Sequence, residues 1–161
     1  YYVTPFELGY GRHVAFDHDF VGRAALEEMA KNPRRTKVTL VWHPEDVLAA
    51  MGTLLGEAVP AKLIDWPKSR YSLFQSDKVQ KDGRQVGISM DCGYDYNDRA
   101  MLSLATIENE LAEPGTEVVV VWGEEPNSSK PQVEPHRQVE IRATVAPVPY
   151  AELARGAYRR S

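Results

Sequence analysis

The chain has one cysteine, Cys92, in 161 residues. No internal disulfide can staple it, and such sparing use of thiols fits a reducing compartment. It also has no apolar run near the roughly 18 residues that a membrane-crossing helix needs. Basic excess is missing too: 19 Lys and Arg stand against 23 Asp and Glu, a formal charge of −4. Phosphate backbones are bound by a concentrated basic face, so neither DNA nor RNA is an expected partner, and a membrane is not one either. These absences together read as a cytoplasmic protein. The chain opens on Tyr1 without an initiator methionine and without a charged-then-apolar leader, which reads as a cut inside a longer polypeptide.

What is present is enough for one domain with a real core. Asp19 reads as the N-cap of a helix over residues 20–31, with Val21, Ala25, Leu26 and Met29 on one apolar face and Asn32-Pro33 as its stop. Arg34, Arg35 and Lys37 read as a solvated hinge. Residues 36–42 alternate, placing Val38, Leu40 and Trp42 on one side of a strand, and Pro44-Glu45-Asp46 opens a short helix that runs to about residue 55 before Gly56. From residue 71 onward the pattern is β: strands over 71–79, 84–90, 101–107, 117–122 and 139–145, with turns at Asp82-Gly83 and Pro114-Gly115. Residues 124–135, rich in Pro, Ser, Asn and charge, read as an exposed hairpin loop. The expected fold is mainly β, a small antiparallel barrel preceded by a short α/β lead-in.

Several residue types invite a chemical role. His136, in Glu134-Pro135-His136, sits where a strand begins beside a proline turn, and such a histidine reads first as a local hydrogen-bonding or packing residue. His13, His18 and His43 have no metal-ligand spacing. Asp91, Asp95 and Asp98 around Tyr94 and Tyr96 lack the twelve-residue ligand pattern of a calcium loop and read as a polar turn between strands. Cys92 has no partner base in reach by sequence and reads as an inert, half-buried thiol.

Two ordered segments, Thr4-Pro5-Phe6-Glu7-Leu8-Gly9-Tyr10 and Asp19-Phe20-Val21-Gly22-Arg23-Ala24-Ala25-Leu26, resemble the aminomethyltransferase (glycine cleavage system T-protein) family. Val86-Gly87-Ile88-Ser89, Met101-Leu102-Ser103-Leu104-Ala105 and Glu113-Pro114-Gly115-Thr116-Glu117-Val118 are similar to that family's carboxy-terminal barrel. Trp122-Gly123-Glu124, Glu134-Pro135-His136 and Pro147-Val148-Pro149-Tyr150 look more like the tetrahydrofolate-dependent aryl O-demethylases that act on vanillate and syringate than like the glycine-cleavage enzymes.

The resemblance implies a division into residues 1–35, the end of a folate-binding domain, and residues 36–161, the barrel. It implies tetrahydrofolate as cofactor, no metal, and a full-length enzyme that moves a methyl group from a methoxylated aromatic acid to N5 of the folate. The catalytic residues would lie upstream, in amino-terminal domains of the same polypeptide, and the isolated chain would be inactive. Tyr158-Arg159 is the position nearest to the family's folate- or substrate-contacting arginine, with Arg160 adjacent as the rival; a guanidinium suits a glutamate-tail carboxylate because it binds bidentately. Tyr1 and Tyr2 would line the aromatic substrate's pocket or fray as terminal residues. Two alternatives stand beside this reading: a glycine-cleavage-type aminomethyltransferase or other folate-dependent demethylase, and a non-catalytic barrel that only positions folate or serves as an interaction module.

Overall fold

The computed structural model describes residues 3–65, 76–124 and 133–157. Six strands run in the chain order β1 (Arg35–Trp42), β2 (Ser76–Lys81), β3 (Arg84–Asp95), β4 (Ala100–Glu108), β5 (Glu117–Trp122) and β6 (Val139–Ala146). They close into a barrel of neighbour order β1-β4-β3-β2-β5-β6, antiparallel at every seam. The helices are α1 (Arg23–Lys31), α2 (Pro44–Gly52) and α3 (Glu152–Ala157). The expected mainly-β antiparallel barrel is the observed architecture, and the described residues before β1 hold the short helix α1 and a single 3-10 turn.

Period-two alternation explains the interior. Val38, Leu40 and Trp42 of β1 face Met101, Ala105 and Ile107 of β4, Val118, Val120 and Trp122 of β5, and Ile141, Ala143 and Val145 of β6 in one buried cluster. Trp42 and Trp122 meet edge to face with ring centroids 5.3 Å apart. A small polar group is enclosed with them: Trp42 Nε1 donates to Ser103 Oγ at 2.9 Å and Ser89 Oγ to Ser103 Oγ at 2.8 Å, so the indole N–H does not lose its hydrogen bond on burial. Helix α2 starts with Pro44 at its first position and adds Val47 and Ala50 to the same core.

The turns follow their chemistry. Asp82 and Gly83, both at positive φ (51° and 75°), form a two-residue connection between β2 and β3, and Gly115 (φ 94°) turns the chain into β5. The strand bounds expected for β1, β4, β5 and β6 agree with those observed to within a residue. For β2, residues 71–75 of the expected strand lie outside the described residues, as do 125–132 of the expected hairpin loop.

Three expectations are corrected. Helix α1 begins at Arg23 and not at residue 20, because Gly22 at φ 92° turns the backbone away from helical geometry just before it. Asp19 is therefore not its cap and instead accepts from Arg23 Nη1 at 3.2 Å. Second, Arg35 is no hinge: it opens β1 and reaches back 2.7 Å to the buried Glu7. Thr4 and Glu7 bond reciprocally, Thr4 N–H to Glu7 Oε2 at 2.8 Å and Glu7 N–H to Thr4 Oγ1 at 3.2 Å, in the manner of a capping box. Burial pushes the Glu7 carboxyl up, but the Arg35 guanidinium and the Thr4 N–H outweigh it and hold it below the usual range. Third, β3 runs five residues past its expected end at Met90, through a bulge in which Asp91 and Cys92 fit between the Met90–Leu104 and Gly93–Leu102 pairs. Asp91 and Asp95 are thus strand residues, not a turn. Helix α1 buries none of its residues; Val21, just before it, is fully exposed and Met29 is 46% exposed.

Candidate functional site

The segments Trp122-Gly123-Glu124, Glu134-Pro135-His136 and Pro147-Val148-Pro149-Tyr150 fall into two places. The first is a closed hub at the end of β5. Trp122 Nε1 donates to the Lys62 carbonyl at 2.8 Å, Gly123 N–H to Asp77 Oδ1 at 3.3 Å, and Gln138 Nε2 to the Gly123 carbonyl at 3.0 Å. Glu124 N–H donates to His136 Nε2 at 2.9 Å, which leaves Nδ1 as the protonated nitrogen, donating to the Glu134 carbonyl at 2.9 Å. Lys62 Nζ lies 2.8 Å from Glu124 and 5.8 Å from the centre of the Trp122 ring. Gly123 has φ 115°, and a Cβ there would stand 3.1 Å from the His136 ring, so the motif's glycine is demanded by both backbone and space. Ala61 bridges Arg137 in parallel, and Arg137 N–H donates to the Pro60 carbonyl at 2.8 Å, which draws the segment after α2 along the start of β6. His136 is 3% exposed and spends both ring nitrogens on the backbone. The expectation that it is a local hydrogen-bonding residue holds.

The second place is an open cleft of about 500 Å³ outside the barrel, between the bulged extension of β3 and the Val148-Pro149-Tyr150 segment. Tyr94, Tyr96 and Tyr150 contribute rings, Leu102 and Leu104 apolar surface, and Asp91 and Asp95 carboxylates. The bulge makes the cleft: Asp91 at φ 49° bends β3, and the strand and turn beyond it carry Tyr94 (48% exposed) and Tyr96 (79% exposed) outward. Asp95 Oδ1 accepts the Asn97 backbone N–H at 2.9 Å, fixing the turn that follows. The opposite wall is anchored from both sides. Thr39 Oγ1 donates to the Pro147 carbonyl at 2.9 Å, and Arg155 Nη1 donates to the Pro149 carbonyl at 2.8 Å and to that of Tyr150.

A smaller cleft of about 390 Å³ lies at the β1–β6 corner and is lined in part by His43, Lys81, Glu117 and Arg142. Here Arg142 forks onto Asp46, with Nε 2.8 Å from Oδ2 and Nη2 2.8 Å from Oδ1. That fork, helped by the Arg142 backbone N–H, lowers the Asp46 carboxyl to about 2 against the opposing effect of burial. Glu45 is 3.8 Å from the same guanidinium, so Arg142 is matched by two carboxylates of the first turn of α2.

The site residues expected from sequence, Tyr1, Tyr2, Tyr158 and Arg159, lie outside the described residues. Among the described residues no three His, Cys, Asp or Glu side chains gather as a metal site would require. Cys92 is 8% exposed, in the bulge of β3 and in contact with the core. Sequence reasoning passed over Tyr94, Tyr96 and Tyr150 as a set. The signal was the Tyr-Asp-Tyr run after Gly93, which a polar turn does not need.

No protein-family model matches the chain. It is 48% identical over 163 residues to syringate O-demethylase of Sphingobium sp. (strain NBRC 103272 / SYK-6), a match spanning 100% of this chain and 35% of that protein. It is 33% identical over 162 residues to sesamin methylene transferase of Sinomonas sp. (strain No.22), spanning 94% of this chain and 34% of that protein. In fold it is similar to the crystal structure of glycine cleavage system aminomethyltransferase T from Bartonella henselae, with a TM-score of 0.52 at 17% identity over 92% of this chain and 32% of the other. The chain thus spans about a third of the length of the curated relatives it matches. The barrel, the ordered motifs and these relatives fit a carboxy-terminal piece of the aminomethyltransferase family, with syringate O-demethylase among the chain's relatives.

Proposed function

We propose that this chain is part of a tetrahydrofolate-dependent methyltransferase that O-demethylates a methoxylated aromatic acid of the vanillate or syringate type. The observation that carries this reading is the 48% identity to syringate O-demethylase over the whole chain. In the reaction the bond between the methoxy oxygen and its methyl carbon breaks, the carbon bonds to N5 of tetrahydrofolate, and the proton displaced from N5 is balanced by one taken up on the phenolate. The products are a phenol and 5-methyltetrahydrofolate. Such a transfer depends on holding donor oxygen, methyl carbon and acceptor nitrogen in line, and on a proton donor for the leaving phenolate.

The described residues offer a scaffold for this chemistry more than its reactive groups. The hub's ionisable side chains are engaged with the backbone or with one another: His136 with Glu124 N–H and the Glu134 carbonyl, Lys62 with Glu124. On this reading residues 1–35 end a folate-binding domain, residues 36–161 form the barrel that closes against it, and the proton-transfer groups come from amino-terminal domains of the same polypeptide. Arg159, with Tyr158, would meet the folate's glutamate carboxylates, and Tyr1 and Tyr2 the aromatic ring. The enzyme would work in the cytoplasm, and the 161 residues alone would be inactive.

A second reading has its own observation: 33% identity to a sesamin methylene transferase, whose name assigns it a methylene unit as cargo. Another folate-dependent one-carbon donor would then replace the methoxyarene. The deciding experiment incubates the full-length protein with vanillate or syringate, with and without tetrahydrofolate, and follows demethylated phenol and 5-methyltetrahydrofolate by mass spectrometry. Folate-dependent formation of both is the expected result. No product from either aromatic overturns the O-demethylase reading in favour of the second.

A further inference from the structure

We infer that the ion pair between Glu7 and Arg35 is a positioning pair: it locks the junction between the lead-in and the barrel, and so fixes the alignment on which methyl transfer depends. The inference rests on the reaction proposed above and on the division at residue 35 that goes with it.

The junction is the stretch that reads in sequence as a solvated hinge, Arg34, Arg35 and Lys37. Two sets of bonds clamp it. From the lead-in, the Glu7 carboxylate, 5% exposed, receives the Arg35 guanidinium as a fork, with Nε 2.7 Å from Oε1 and Nη2 3.3 Å from Oε2. A fork fixes the plane of the guanidinium as well as its distance, so it holds orientation better than a point charge can. Thr4 N–H donates to the same carboxylate at 2.8 Å, which ties the pair to the backbone of the lead-in. Lys37, on the same side of β1, sets its ammonium 5.9 Å from the centre of the Tyr10 ring. From the barrel, Asn109, directly after β4, holds the other side. Its Nδ2 donates to the Pro33 carbonyl at 2.6 Å, its backbone N–H donates to the Arg34 carbonyl at 3.2 Å, and its Oδ1 accepts from Thr36 Oγ1 at 2.6 Å. A hinge works by letting a few residues absorb a change of φ and ψ, and residues 33–36 are bonded against that from both sides. Helix packing does not supply the joint, because α1 buries none of its residues.

Stability alone explains the pair poorly. Taking two charges out of water offsets much of their attraction, and an apolar pair of similar volume often holds a fold as well; fixing one register is the better-attested use of such a pair. Burial pushes the Glu7 carboxyl up, yet Arg35 and the Thr4 N–H hold it below the usual range, so the fork keeps its charge at neutral pH. In-line transfer tolerates little error, since a misplacement of about 1 Å can lower the rate by about 100-fold. On the proposed reading the proton-transfer groups come from upstream of the lead-in, and the barrel closes against their domain. Loosening the joint would then misalign the reacting atoms without removing the contacts that bind either ligand, and such a loss falls on kcat and not on KM.

The test uses the full-length protein with syringate or vanillate and tetrahydrofolate. Glu7→Gln keeps an acceptor for Thr4 N–H but turns an amide toward the guanidinium, and Asn109→Ala loosens the joint independently from the barrel side. Each should lower kcat at least tenfold, with the KM for aromatic acid and for folate changed less than twofold. Hydrogen exchange, read by mass spectrometry on the same samples, should speed at least tenfold in Glu7→Gln over residues 8–14, whose amides bond within the lead-in. Over β5 and β6 it should stay as in the wild type. An unchanged kcat, a loss carried by KM, or unchanged exchange over residues 8–14 would each overturn the positioning role. Faster exchange that extends through β5 and β6 would show a merely structural pair and overturn it as well. A wild-type protein that forms no folate-dependent product overturns the reaction itself, and the inference with it, a result told apart because it appears before any substitution.

Discussion

The hub around Trp122-Gly123-Glu124 and the cleft around Tyr94, Tyr96 and Tyr150 both gather aromatic and acidic residues, yet they use them in opposite ways. In the hub Trp122 and His136 are 1% and 3% exposed, and the polar atoms described there meet backbone groups or one another within the same chain. In the cleft, rings of the same amphipathic kind stand 48% and 79% exposed at Tyr94 and Tyr96. A residue that looks chemical in sequence, such as His136, is therefore structural where its polar atoms are already matched. The residues that look like an ordinary turn, Tyr94 and Tyr96, are the ones that carry rings to the surface.

That contrast is open to attack by mutation. Trp122→Ala should cost the most, about 3–5 kcal/mol, because it opens a cavity beside Trp42 and frees the Lys62 carbonyl. Urea denaturation would measure it, and a loss under about 1 kcal/mol would mean the hub is not holding the barrel end. Gly123→Ala should follow, at about 1–3 kcal/mol, since φ 115° and a 3.1 Å approach to His136 both oppose a side chain. The Asp46–Arg142 fork lies in neither region and should show as a pH effect. Its folded carboxyl is lowered from 3.8 to about 2, so its contribution is complete above the unfolded value and is lost as pH falls toward the folded one. Asp46→Asn should flatten that acidic limb of the stability profile while leaving its shape near neutrality unchanged. Tyr96→Ala should have the smallest effect on stability, within about 0.5 kcal/mol, because the ring is exposed. A larger loss would show that the cleft, like the hub, is part of the scaffold.

Much of the barrel was legible because its rules are local. The alternation of Val38, Leu40 and Trp42 marks a half-buried strand, and Asp82-Gly83 and Pro114-Gly115 are turn chemistry that few other conformations use. What the pattern missed was set across the chain. The bulge at Asp91-Cys92 is defined by its partner strand β4, so acidic residues that look like a turn continue β3. Gly22 displaced the start of α1 because a positive φ overrides a plausible Asp cap upstream. Arg35 resembled a hinge until Glu7, 28 positions earlier, came within 2.7 Å. The cleft needed three tyrosines from β3, the turn after it and the segment beyond β6, a convergence that no window of sequence contains. Tyr1, Tyr2, Tyr158 and Arg159 came from resemblance and lie outside the described residues, so the sites found in the structure are different ones.

Barrel closure has a consequence for how the chain is made. The final seam joins β1 to β6, with Leu40 opposite Val145, so the first strand of this barrel to leave the ribosome waits for the barrel's last. At about 5–20 residues per second that interval of 105 positions takes on the order of 5–20 s. Through it Leu40 and Trp42 have no closed interior to enter. The nascent chain therefore has its longest exposure to misassembly and to chaperones just before β6 appears.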